Sequence, residues 1–314
     1  MSINRRNFLH LSTGLCLASA LPSVQLNAQI EKKMNELKIE RVTVNLGLEK
    51  PFRALHISDT HFCFADEREN QRKRNLAAAR SRYFKNYEVN FDAALAYAQK
   101  NSHLLLHTGD LIDFVSEKNL EVVEAKFAGQ NCFVSSGNHE FSQYVGEAKE
   151  DAAYKAQSFE RVQKAFPNDL TFCSRIVNGV NFVAIDDVYY DFTADQLAKF
   201  KEEVKKGLPI VMLCHVPLFT PELYDYSMSR GAGCAYVTGA PAEKVASYSA
   251  HRREQQTANE PTLEFMAWLR EQSMVKAIFC GHLHCFWQGQ FSPHTRQYVV
   301  AANYAGNAYE IEFK

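Results

Sequence analysis

The chain has 314 residues, 46% of them hydrophobic, and no long low-complexity tract, which is ample to bury one large core or two small ones. With 35 Lys and Arg against 36 Asp and Glu, and no Lys/Arg run to form a nucleic-acid track, long DNA or RNA is a poor partner, although a small phosphodiester is not excluded. Eight cysteines, one of them Cys16 near the start, leave an odd number in a processed chain and argue against a disulfide framework.

In chain order, Arg5 and Arg6 precede Phe8, Leu9 and an apolar stretch from Leu15 to Leu21 that is too short to span a bilayer. The segment Asn4 to Leu9 resembles a twin-arginine export signal. Residues 1–30 are therefore expected to hold an export signal and the start of a linker. Twin-arginine or secretory machinery would be the export partner, the destination a bacterial periplasm or cell envelope, and the mature protein would have no membrane span. Ala18-Ser19-Ala20 and the Asn27-Ala28 neighbourhood both suit cleavage.

A polar linker around Glu31 to Glu36 is followed by short apolar runs at 38–46, 53–58, 103–108, 131–136, 208–214 and 275–280, which read as strands. Helical spacing covers 146–166, with Ala148, Ala152, Ala156, Phe159 and Val162, and 193–206, with Thr193 as cap. Asn178-Gly179 between Thr171–Val177 and Val180–Ile185 predicts a hairpin. From Phe286 to Phe313 the pattern is strand and turn, expected as a β-meander at one sheet edge. This alternation defines an α/β (α+β) protein, with residues 37–314 as a single domain. Residues 62–90, rich in Arg and Lys, and 217–260, with little apolar periodicity, depart from it. Both read as loops, the second as an insertion. Cys132, Cys214 and Cys280 read as buried strand residues; Cys63 and Cys285 flank motifs and are candidates to face one another.

The ends of the runs carry the chemistry. They lead into Asp59-Thr60-His61, Gly109-Asp110, Gly137-Asn138-His139-Glu140, His215 and Gly281-His282-Leu283-His284. Ligand sites assemble beyond the carboxyl ends of strands, so Asp, Asn and His side chains are delivered from five strands to one edge. Mixed carboxylate, imidazole and amide donors without Cys suit Zn, Mn, Fe or similar ions in a catalytic setting. Seven or more donors are too many for one tetrahedral ion and suit two ions sharing a carboxylate.

The order Asp-x-His, Gly-Asp, Gly-Asn-His-Glu, His, Gly-His-x-His, spanning 59–284, resembles the calcineurin-like metallophosphoesterase superfamily. The resemblance implies a four-layer α/β/β/α double β-sandwich flanked by helices. It also implies two divalent or trivalent metal ions: Asp59, His61 and His284 on the first, Asn138, His215 and His282 on the second, and Asp110 as bridge and catalytic ligand. His139 would contact the phosphate and help stabilise the leaving oxygen, with Glu140 orienting it. The implied reaction is hydrolysis of a small phosphomonoester or phosphodiester by a water activated between the ions. Asp113 stands where purple acid phosphatases carry an iron-binding Tyr, and only a short segment follows His284, where 5'-nucleotidase relatives carry a substrate domain. Tyr224, Tyr226, Arg230, Arg252 and Arg253 of the insertion are candidate substrate residues. The alternatives are a nuclease, which needs an extended basic groove, and a nonenzymatic metal-binding protein of the same fold.

Overall fold

The computed structural model describes residues 27–145 and 152–314. The expected export signal thus lies outside the described residues up to position 26, as does the start of the helix expected at 146–166. Among the described residues no helix is long and apolar enough to cross a membrane.

The strands are β1 (Lys38–Val44), β2 (Phe52–Ile57), β3 (Leu104–Thr108), β4 (Cys132–Ser135), β5 (Phe172–Val177), β6 (Val180–Ile185), β7 (Ile210–Leu213), β8 (Val275–Cys280), β9 (Trp287–Gln290), β10 (Arg296–Val299) and β11 (Asn307–Phe313). They form one sheet of order β1-β11-β2-β3-β4 and another of order β5-β6-β7-β8-β10-β9. The helices are α1 (27–36), α2 (Gln71–Tyr83), α3 (Tyr87–Lys100), α4 (Glu117–Phe127), α5 (Ala152–Ala165), α6 (Ala194–Lys205), α7 (Pro221–Ser229), α8 (Ala242–Val245), α9 (Ala250–Gln256) and α10 (Glu260–Arg270).

Strands β3, β6 and β7 are buried along their whole length, which explains why they read as continuous apolar runs rather than alternations. Between the sheets, Ala54, Leu106 and Phe133 of one meet Phe182, Leu213 and Phe279 of the other. On the first sheet's outer face Leu55, Ile57 and Leu105 pack with Phe91, Leu120 and Val123; on the second's, Ile210, Met212 and Ile278 pack with Phe200, Phe265 and Leu269. The result is the four-layer α/β/β/α sandwich, each large buried side chain contributing roughly 1.5–3 kcal/mol. Thr193 and Gln196 form a capping box at α6, and Ser116 caps α4, each such cap stabilising by about 1 kcal/mol.

Four expectations need correction. Residues 31–36, expected as linker, are helical. The stretch after Phe286 is no meander: β9 and β10 extend the second sheet, whereas β11 crosses to the first and inserts between β1, to which it is parallel, and β2, to which it is antiparallel. Residues 217–260 are not a bare loop, because α7 and α8 bury Leu223, Tyr224 and Val245, and the turn before α9 buries Tyr248, in the core of the second sheet. Residues 62–90 hold α2, and its Lys73, though charged, is buried with Nζ donating to the Val115 carbonyl at 2.7 Å.

Candidate metal centre

Parallel pairing of β2 with β3 and β3 with β4, and of β6 with β7 and β7 with β8, aims their carboxyl ends at one edge. The turns there interlock. Asp59 N–H donates to Gly109 O at 3.0 Å, His61 N–H to Asp110 O at 2.9 Å, and Gly281 N–H to His215 O at 3.0 Å. Asp59, His61, Asp110, His282 and His284 all have positive φ, between 52° and 67°. Such left-handed conformations cost on the order of 1–2 kcal/mol per residue, so five at one edge mark a geometry that the rest of the fold must hold. Gly137 is required here: a Cβ would collide with the Asp110 carboxylate and backbone nitrogen.

Three groups of donors converge within 4.8 Å: Asp59 with His61 and His284; Asp110 with His215 and His282; and His61 with Asp110 and His139. His61 Nε2 stands 3.2 Å from His284 Nε2, and His282 Nδ1 3.1 Å from His215 Nε2. Two nitrogens each about 2.1 Å from one cation lie about 3.0–3.4 Å apart in octahedral or tetrahedral geometry, so both pairs have the spacing of neighbouring ligands. Asp110 Oδ2 lies between the pairs, 3.2 Å from His215 Nε2 and 3.9 Å from His61 Nε2. Asn138 Oδ1 is buried without a hydrogen-bond partner among the described residues, which costs roughly 1–3 kcal/mol unless something else satisfies it. Burial opposes charge on His215, but the Asp110 and Asp59 carboxylates outweigh it and raise its pKa well above the ordinary value. Carboxylates that otherwise recruit a proton onto a buried imidazole are suited to a cation instead. The donor set therefore fits two transition-metal ions.

His139 is turned away from the donor pairs at one nitrogen and toward them at the other. Its Nδ1 sits 2.9 Å from the Asp113 backbone oxygen, while its Nε2 is 3.8 Å from Asp110 Oδ2. Spacing alone admits it among the donors. Burial disfavours its charge, yet Asp110 and Asp113 together push its pKa up to about 10.

The surrounding contacts were only partly foreseen. Glu140 does not orient His139; its carboxylate accepts backbone N–H groups from Asp110 at 2.8 Å, Leu111 at 2.7 Å and Gly137 at 2.6 Å, fixing the turns that carry Asp110 and Asn138. The orienting carboxylate is Asp113, which also meets His61 Nδ1 at 3.0 Å and is gripped by Arg80 Nε at 2.6 Å. His215 Nδ1 donates to Thr108 O at 2.7 Å, and Asp187 accepts the His215 N–H at 3.0 Å. Tyr190, 2% exposed, places its hydroxyl 3.0 Å from His282 Nε2. The position of Asp113 three residues after Asp110 was a usable signal; Arg80, Asp187 and Tyr190 left none.

A cleft of ≈ 560 Å³ opens on the site, with Ser227, Arg230, Ala232 and Tyr236 on one side and the His282-Leu283-His284 turn on the other. Of the insertion's candidates, Arg230 lines it and Tyr226 lies behind Arg230, with the guanidinium 5.9 Å from its ring. Tyr224 is a core residue instead, stacked on Tyr248 with its hydroxyl donating to Lys244 O at 3.4 Å. Arg252 reaches the cleft only through Tyr236, 4.9 Å from its ring centre, and Arg253 is exposed and donates to Ala246 O at 3.5 Å. Cys63 and Cys285 are both free, the Cys63 thiol donating to His61 O at 3.1 Å.

A sandwich that gathers buried Asp, Asn and His donors at one strand edge is the scaffold of a dimetal phosphoesterase. The chain belongs to the calcineurin-like phosphoesterase family, whose profile matches residues 52–286. No curated protein sequence matches it. Among solved structures it is similar to a dimetal phosphatase from Danio rerio, at 14% identity and TM-score 0.46, covering 81% of this chain and 88% of that one. It is also similar to a 5'-nucleotidase from Candida albicans, at 13% identity and TM-score 0.39, covering 83% of this chain but 46% of that one.

Proposed function

We propose that the protein hydrolyses small phosphate monoesters or diesters at a dinuclear centre in which Asp59, His61 and His284 hold one ion, Asn138, His215 and His282 the other, and Asp110 bridges them. The observation that carries this reading is the pair of donor groups meeting across Asp110 Oδ2. When bound, two such cations lower the pKa of a shared water and draw charge from the phosphoryl oxygens. The chain's own residues do the rest. Asp113 fixes the His139 ring through Nδ1, leaving Nε2 to carry a proton toward the leaving oxygen. Glu140 ties down the Asp110 turn, and Tyr190 and Thr108 hold the outer nitrogens of His282 and His215. An exported enzyme, carried by a twin-arginine or secretory route, fits the Arg5-Arg6 segment.

The test is turnover of a panel of phosphate monoesters, diesters, pyrophosphate conjugates and plasmid or single-stranded DNA with Mn, Zn, Fe or Co. Small-ester turnover abolished by chelator and restored by metal supports the reading. Preference for DNA would favour the nuclease alternative, and two bound metals without turnover would favour the nonenzymatic one.

A further inference from the structure

We propose that the cleft beside His282 and His284 receives the leaving group of the substrate and selects one that bears a second anionic group, a phosphate or a carboxylate. Arg230 would clasp that group and Tyr236 form the wall beneath it. This rests on the phosphoesterase reading above and adds the class of substrate to it.

The cleft adjoins two of the metal donors, so a phosphoryl group placed at the donors directs its ester substituent along this wall. Among the described residues no carboxylate lines it, and Arg230 supplies the only lining side chain, imidazoles apart, that carries a formal charge. Arg230 is exposed, makes no ion pair among the described residues, and is 5.9 Å from the Tyr226 ring centre, a contact that leaves its N–H fork open to solvent or ligand. A planar guanidinium in this state matches a phosphate or carboxylate bidentately.

Tyr236 is held in place by its surroundings. Its φ is 53°, a conformation that a non-glycine residue keeps only under constraint, and its backbone N–H is fixed by the buried Gln256, which accepts it at 3.1 Å. The ring stands edge-on to His282, with centroids 5.9 Å apart, and Arg252 lies against it at 4.9 Å. The ring is thus clamped between a candidate metal donor and a second cation, whose field adds to that of Arg230 along a cleft wall that carries no acidic side chain among the described residues.

The experiment uses the full chain reconstituted with metal, as wild type, Arg230→Ala and Arg230→Lys, after metal content and circular dichroism show that the variants fold. Calorimetry measures the binding of inorganic phosphate and inorganic pyrophosphate. Turnover compares glycerol phosphate with phosphoglycerate, whose second anion is a carboxylate, and with propanediol bisphosphate, whose second anion is a phosphate. The expected result is a preference of about tenfold or more for one or both doubly anionic probes and for pyrophosphate, lost in Arg230→Ala and partly recovered in Arg230→Lys. The two substrate arms identify which anion is clasped. A wild type without the preference, or a preference that survives Arg230→Ala, overturns the proposal. If no ester turns over but pyrophosphate binding still depends on Arg230, the hydrolase reading fails and the cleft assignment stands.

Discussion

Asp113 holds His139 twice, through its backbone oxygen at 2.9 Å and its carboxylate Oδ1 at 3.2 Å from the same Nδ1. That Oδ1 also meets His61 Nδ1 at 3.0 Å, so one carboxylate fixes a candidate metal donor and a candidate acid together. Asp113→Ala is expected to lower kcat/KM by about 10- to 100-fold and to weaken metal retention, read by kinetics and elemental analysis. Wild-type values for both would remove Asp113 from the machinery.

His139→Ala separates chemistry from coordination. Turnover should fall by roughly 10²- to 10⁴-fold with metal content nearly unchanged, as for a positioned acid or base. If both metals are lost, the grouping of His139 with His61 and Asp110 describes a true ligand set.

Asp110→Asn should be the most damaging ligand change, since Asp110 Oδ2 lies between both donor pairs. Replacing the carboxylate by an amide removes a charge shared by two cations, so elemental analysis should show both ions depleted and activity should collapse. Near wild-type turnover, or fewer than one metal per chain in reconstituted wild type, would contradict a bridged pair.

Tyr190→Phe keeps the buried ring and deletes only the hydroxyl that faces His282 Nε2. The expected loss is about 10- to 100-fold in activity or in affinity for the ion at His282, at unchanged melting temperature in the metal-free protein. A fall in metal-free stability with no effect on metal titration would make Tyr190 a packing residue.

The sequence made the donors legible because each follows a run apolar enough to be recognised as a buried strand, so Asp59, Asp110, Asn138, His215 and His282 could be placed at one edge without coordinates. Arg80 could not be read: it lies on α2, far in sequence from Asp113, and only the packing of that helix brings them together. Tyr190 follows β6 in a turn with no periodic signal. Helices as short as α8 and α9 bury so few residues each that Val245 and Gln256 leave no helical spacing in the sequence, which made 217–260 read as loop. The strand pattern of 307–313 was visible, but nothing local distinguishes a sheet edge from a slot between β1 and β2.

That slot has a consequence for biosynthesis. β11 is an interior strand, and just before it Asn303 N–H donates to Ser58 O at 2.8 Å and Tyr304 N–H to Asp59 O at 3.2 Å. While residues 303–313 are still inside the ribosome, β1 has no neighbour on that side and the Asp59 turn lacks its clamp. The nascent chain thus emerges with β1 unpaired and with the backbone of the Asp59 turn held by Gly109 and Asp110 alone until translation has passed this strand.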